Sequence, residues 1–127
     1  MENYYASAVR HYLDARRLKD AGSLDNAGHL IGFAAECAIK YKIQTLSPSV
    51  DNPRLHLPDI VHAAMKRLQS RSEQSMLGLL KAGILHGWDV NKRYYNDGHV
   101  LEADLTQWIT ETRRLLASAN IKVQIDE

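Results

Sequence analysis

The stretch of sequence that most constrains the fold is a long helical pattern in the first half of the chain. It runs from Leu24 to Leu46 and reads LDNAGHLIGFAAECAIKYKIQTL. Its apolar positions recur at intervals of three and four and include Ala27, Leu30, Ile31, Ala34, Ala38 and Tyr41. That interval is the period of an amphipathic α-helix. The pattern therefore predicts one long helix here, with Ser23 or Asp25 able to cap its first turn.

Two further faces of this predicted helix differ in character. One face carries small residues, namely Gly28, Gly32 and Ala35. Glycine costs a helix about 1 kcal/mol at exposed interior positions, so two glycines favour a packing role, such as the close approach of another helix. The remaining face is polar and carries His29, Glu36 and Lys40. An ion pair is expected between Glu36 and Lys40 because they are four residues apart. Such a helix belongs at the centre of a small bundle.

Length and composition limit the class of protein. With 127 residues, the chain is predicted to form a single domain over residues 1–120, followed by a tail at 121–127. The net charge of +1 argues against nucleic-acid binding through bulk charge, and leaves room for a local basic patch. The single cysteine, Cys37, cannot form an internal disulfide, which fits a reducing compartment. Neither a signal-peptide pattern nor an apolar run of about 18 residues is present, so a cytoplasmic protein without membrane association is expected.

The rest of the sequence indicates an all-α fold. Helical periodicity predicts four more helices, at residues 2–21, at 58–70, from Ser72 through apolar positions up to Leu85, and at 100–119. Gly83 and Gly87 are expected to weaken the far end of the helix that starts at Ser72. Gly22 ends the first helix, and so short a link makes the first two helices antiparallel neighbours. The prediction is therefore an antiparallel bundle of four or five helices. The tail alternates apolar and polar residues, and could add a short strand or remain unpaired.

Three motifs in this order resemble the HEPN domain, a small helical bundle. They are Asp14-Ala15 with Leu18 followed by Asn26-Ala27-x-x-Leu30, then Ala34-Ala35-Glu36-Cys37-Ala38-Ile39-Lys40, then Trp88-x-Val90-x-x-Arg93-Tyr94. The resemblance covers residues 10–100. The order and spacing of the three motifs together are more specific than any one motif alone.

The resemblance implies a choice of functions. Many HEPN proteins are metal-independent RNases, often toxins, which dimerise so that an Arg and a His from each subunit line one cleft, with four to six residues between them. This chain has Arg93 and His99, separated by five residues. Other members are non-catalytic modules that bind nucleotides or RNA, often beside a minimal nucleotidyltransferase that acts as antitoxin. A homodimer is expected from the resemblance and from the small-residue face.

The chemistry of a metal-free RNase suits this residue pair. Cleavage needs a base for the 2′-OH proton, an acid for the leaving oxygen and positive charge on the transition state. His99 could supply one of the first two, and the guanidinium of Arg93 the third. The residues expected to bind RNA or nucleotide around this pair are His29, Glu36, Lys40, Lys92 and Tyr94. No cofactor and no metal site are predicted.

A purely structural interpretation of the same residues stays open. Glu36 could form a buried ion pair that ties the long helix to the segment from Trp88 to Tyr94, with Arg93 as one candidate partner. Trp88 and Trp108 are expected in the core, whereas Tyr94 and Tyr95 could stack on a base. The alternative function is a non-catalytic interaction module that binds a nucleotidyltransferase or another protein.

Overall fold

The computed structural model describes residues 3–46, 55–91, 95 and 97–123 of the chain. Within them it confirms an all-α bundle. The helices are α1 (Tyr4–Asp20), α2 (Leu24–Leu46), α3 (Asp59–Met65), α4 (Gln74–Ala82) and α5 (Glu102–Ser118), with a 3₁₀ turn at Arg71–Glu73 before α4. No strand occurs among the described residues. None of the helices described is both long enough and apolar enough to cross a membrane.

A tight turn at Gly22 joins α1 to α2. Gly22 has a φ of 84°, a left-handed conformation that glycine adopts without steric cost. Its amide donates to the carbonyl of Lys19, and the Ser23 amide donates to that of Leu18, which satisfies the last carbonyls of α1. As predicted, the two helices run antiparallel, since the ring of Tyr5 contacts that of Tyr41 near the far end of α2.

The core lies between α2 and the helices around it. Ile31, Ile39 and Ile43 of α2 are almost fully buried. The largest side chains buried with them include Tyr12, Ile60, Leu68, Met76, Leu105, Leu115 and Leu116. Burial of each such side chain stabilises the fold by about 1.5–3 kcal/mol before entropy is counted. The long apolar helix is therefore central to the bundle, as its sequence predicts.

Helix α5 runs antiparallel to α1. Arg113 donates from Nε to the Tyr12 hydroxyl at 3.1 Å. The Lys122 amide, just beyond the helix, donates to the Tyr5 hydroxyl at 3.0 Å. Ile121 is buried, so the described part of the tail packs against the bundle as coil.

The two middle helices are shorter than predicted. The predicted end of α3 at Ser70 is wrong, because the Gln69 side-chain amide donates to the carbonyls of Met65 and Lys66 and replaces the helical amides there. Helix α4 ends at Ala82, next to one of the two glycines expected to weaken it, because Gly83 has a φ of 92° and its amide donates to the Leu80 carbonyl. The apolar residues expected on this helix beyond Gly83 are not helical, and Leu85 has a φ of 48° with its amide donating to Glu111 Oε1 at 2.9 Å. Both segments keep their buried apolar residues without being helical.

The small-residue face of α2 packs against side chains rather than against another helix backbone. The indole of Trp88 lies on Gly32, and Val100 and Trp108 lie on Gly28. This corrects the expectation that a second helix backbone approaches here. Because the face is covered within the chain, it provides no support for a dimer.

Candidate functional site

A cleft forms where the start of α2 meets the segment that precedes α5. Its volume is about 100 Å³. It is lined by Asp25, Asn26, Gly28, His29, Trp88, Asp89, Tyr95, Asp97, His99, Val100 and Trp108. Pockets that enclose a whole small molecule measure roughly 300–1,000 Å³. This cleft is therefore too small to enclose a whole small molecule.

Two tryptophans form the inner wall of the cleft, and both are held by hydrogen bonds to backbone carbonyls. Trp88 Nε1 donates to the Gly28 carbonyl at 2.7 Å. Trp108 Nε1 donates to the His86 carbonyl at 3.0 Å. A buried indole N–H requires an acceptor, so these bonds fix the orientation of both rings. The predicted burial of both tryptophans is confirmed.

Aromatic rings continue from this wall along α2. His29 lies with its ring nearly parallel to that of Trp88, with the centroids 6.4 Å apart. The ring of Phe33, one turn further along α2, lies edge-on to the His29 ring, with the two ring centroids 4.7 Å apart. These contacts hold His29 at the border between the core and the cleft.

Asp25 holds the opposite side of the cleft. Its carboxylate accepts from the Gly98 amide at 2.7 Å and from the Val100 amide at 3.0 Å. The Gly98 hydrogen bond is the main reason why the pKa of Asp25 lies below its ordinary value, with further lowering from the Val100 amide and from His99. A carboxylate in the first turn of α2 thus fixes the segment that leads into α5.

His99 lies beside this carboxylate. Its Nδ1 is 3.5 Å from Asp25 Oδ1, within ion-pair distance if the ring is protonated. The Tyr95 ring lies edge-on to the His99 ring, with the two ring centroids 5.7 Å apart. The Tyr95 side chain is 58% exposed. A carboxylate beside one ring nitrogen orients the ring. The arrangement combines a positioned histidine, a carboxylate acceptor and an exposed aromatic face.

Glu36 and Lys40 form a separate polar cluster that does not line the cleft. Lys40 Nζ donates to Glu36 Oε2 at 3.2 Å, which confirms the predicted ion pair. The other carboxylate oxygen lies 3.0 Å from His56 Nδ1 and accepts from the Leu57 amide at 3.2 Å. Both side chains are almost buried, at 7% and 11% exposed for Glu36 and Lys40. The Glu36 carboxylate therefore attaches the loop before α3 to α2.

The sequence-predicted site residues therefore divide into three groups. His29 and His99, from distant parts of the sequence, both line the cleft. Glu36 and Lys40 lie in the buried cluster described above. Lys92, Arg93 and Tyr94 fall outside the described residues.

Sequence reasoning missed Asp25 as a site residue and treated it only as a helix cap. Its position in a first helical turn is the sole local signal, and many acidic residues share that signal. The hydrogen bonds that place it in the cleft reach residues 98 and 100. No short-range pattern encodes contacts of that separation.

No group of three His, Cys, Asp or Glu side chains in the described ranges could hold a metal ion. In comparisons with protein-family models, curated proteins and solved structures, no match to the chain is found.

Proposed function

We propose that this chain is an HEPN-like domain that binds single-stranded RNA and cleaves it without a metal. The observation that carries the proposal is the position of His99 beside Asp25 in a small cleft with an exposed aromatic ring. The proposal places the domain in the cytoplasm, as a homodimer and as the RNase toxin of a toxin–antitoxin or defence pair. The dimer rests on the family resemblance alone.

The charge and size of the cleft favour a base over a phosphate as the group it holds. Asp25, Asp89 and Asp97 line it, and carboxylates repel a phosphate. The same carboxylates can accept from the amino and imino groups on the edge of a base. Tyr95 offers a face for stacking, which contributes about 1–3 kcal/mol per base in single-stranded complexes. A duplex hides both the edges and the faces of its bases, so the proposed ligand is single-stranded.

The proposed chemistry uses His99 and Arg93. With Nδ1 toward Asp25, Nε2 is the nitrogen that exchanges a proton with the 2′-OH or with the leaving oxygen. Asp25 keeps the ring oriented, in the way a carboxylate orients histidine in hydrolases. Arg93, two positions before Tyr95 in the sequence, supplies the charge that stabilises the transition state.

The test is cleavage of single-stranded RNA in EDTA by the purified protein, with folding checked by circular dichroism. His99→Ala and Arg93→Ala are each expected to lower the rate by about 100-fold or more, the usual size of a lost acid–base or electrostatic contribution. Asp25→Asn is expected to lower it less. His62→Ala, on the exposed surface of α3, is the matched histidine control and should leave the rate unchanged.

The outcomes separate the functions that the sequence leaves open. RNA binding without cleavage would reduce the proposal to a base-binding module. The absence of both would overturn it, and the alternative, a module that binds a nucleotidyltransferase or another protein, would take its place.

A further inference from the structure

We infer that a second cleft, between α1 and α5, binds a phosphate group. It has a volume of about 220 Å³. Its charged lining consists of Arg16, Lys19 and Asp20 from α1 and Arg113 from α5. Three cations thus face one carboxylate, a local excess of positive charge in a chain whose net charge is only +1.

One buried tyrosine positions both arginines of this cleft. The Tyr12 hydroxyl accepts from Arg113 Nε at 3.1 Å. The Arg16 guanidinium carbon lies 5.9 Å from the centre of the Tyr12 ring, within the range of a cation–π contact. Tyr12 itself is fully buried. Two guanidinium groups from different helices are therefore held on one rigid support, which lowers the entropy lost when they bind a shared ligand.

The Arg16 side chain supplies a second observation that points to a ligand. Its Nη1 is buried and has no hydrogen-bond partner among the residues that the structure describes. Buried donors are nearly always paired, and an unpaired charged donor is especially unfavourable. An anion seated between Arg16 and Arg113 would draw the Arg16 guanidinium toward the cleft and supply the acceptor that Nη1 lacks. Guanidinium groups bind phosphate through two parallel hydrogen bonds, so a tetrahedral phosphate oxyanion is the ligand class that fits.

This cleft is separate from the one that carries the proposed function. Trp108 lines the first cleft, whereas Thr106, Thr110 and Arg113 line the second. Residues two apart on a helix point to opposite sides, so α5 separates the two clefts. The inference stands whether or not the first cleft acts on RNA. The phosphate could belong to a small nucleotide or to the backbone of an RNA strand.

The first test is a titration of the isotope-labelled protein, followed by NMR, with inorganic phosphate, with AMP and with a short single-stranded RNA. Saturable shifts are expected at residues 16, 19, 110 and 113. Saturation by phosphate and AMP would identify a small-molecule site, and saturation by the RNA alone would identify a backbone phosphate. Shifts confined to the first cleft, or no saturable shifts with any of the three, would overturn the inference.

The second test compares two double variants of equal charge. Arg16→Gln with Arg113→Gln removes the two guanidinium groups of the cleft. It should raise the Kd of the ligand that saturates in the first test at least about tenfold, since charge-assisted hydrogen bonds are lost. Arg17→Gln with Arg114→Gln changes the neighbouring arginines, which do not line the cleft, and should raise Kd less than about twofold. Equal weakening would show a non-specific charge effect and would sink the inference.

A single lysine variant covers the case in which the double variant does not fold. Lys19→Gln, at the cleft, should weaken binding by about threefold or more, as the loss of one nearby charge predicts. Lys81→Gln, exposed on α4, is its control and should have no effect. If both variants bind that ligand with equal affinity, the result would contradict a phosphate site between α1 and α5.

Discussion

The indole ring of Trp88 occupies the space that a side chain on Gly32 would need. A Cβ built on Gly32 would clash with Cε2 and Cζ2 of that ring. The same ring donates to the carbonyl of Gly28, one turn earlier on α2. The absence of a side chain at position 32 is therefore what allows the inner wall of the first cleft to form.

Gly32→Ala is expected to destabilise the protein by about 1–3 kcal/mol, because the ring must leave its hydrogen bond or α2 must shift. The free energy of unfolding in urea measures this. Gly78→Ala is the control, since Gly78 is an exposed helical glycine with nothing within 4 Å of its Cβ position. It should stabilise the protein by roughly 0.5–1 kcal/mol through helix propensity. Equal effects of the two changes would show that the Trp88 contact is not tight.

Asp25→Asn should lower stability by about 1 kcal/mol at neutral pH, because one of the two backbone amides at residues 98 and 100 loses a charged acceptor. The pKa of Asp25 is lower in the folded protein than in the unfolded chain. Its contribution is therefore fully present above about pH 4 and is lost as the pH falls through the folded-state pKa. The stability difference between wild type and variant, measured by urea unfolding from pH 7 to pH 3, should shrink below pH 4. A difference that grows in acid would contradict this hydrogen bonding.

Glu36→Gln should cost about 3 kcal/mol or more in the free energy of unfolding, because it leaves Lys40 charged and nearly buried. Adding Lys40→Met should recover much of that loss, and a double-mutant cycle gives the coupling between the two residues. Asp14→Asn is the control. It breaks the Asp14–Arg17 pair, which is exposed, and should cost less than about 0.5 kcal/mol. Additive effects of the two core substitutions would exclude a coupled ion pair.

Thr112→Val should stabilise the protein by about 1 kcal/mol. Thr112 is fully buried, and its hydroxyl has no hydrogen-bond partner in the described part of the chain. Valine keeps the shape of threonine and removes the cost of burying the hydroxyl. Thr106→Val, at an exposed position of the same helix, should change the midpoint of thermal unfolding very little. A loss of stability in the Thr112 variant would reveal an acceptor for its hydroxyl.

The sequence predicts the centre of this fold well and its periphery less well. The bounds of α2 follow from an apolar period that persists from Leu24 to Leu46 and from the glycine turn before it. The end of α4 is indicated by Gly83 alone, which interrupts an apolar period that continues to Leu85. Leu85 keeps the apolar period and is buried, yet it reaches the core from a left-handed backbone. Periodicity reports which side chains are buried and does not report the backbone that carries them.

The residues that the sequence singles out on α2 show the same limit. The predicted pairing of Glu36 with Lys40 depends on helical spacing and is confirmed. The contacts of Glu36 with His56 and Leu57 depend on how a distant loop packs, so helical spacing does not predict them. Gly32 was predicted to have a packing role, but the identity of its neighbour, an indole rather than a helix, required the structure.

The chain has two tryptophans, and both line the first cleft. Their intrinsic fluorescence therefore comes from a single place in the molecule. A base stacked in the cleft would quench this emission, whereas phosphate bound between α1 and α5 would leave it nearly unchanged. The protein thus contains its own optical probe, which reports on one cleft and not on the other.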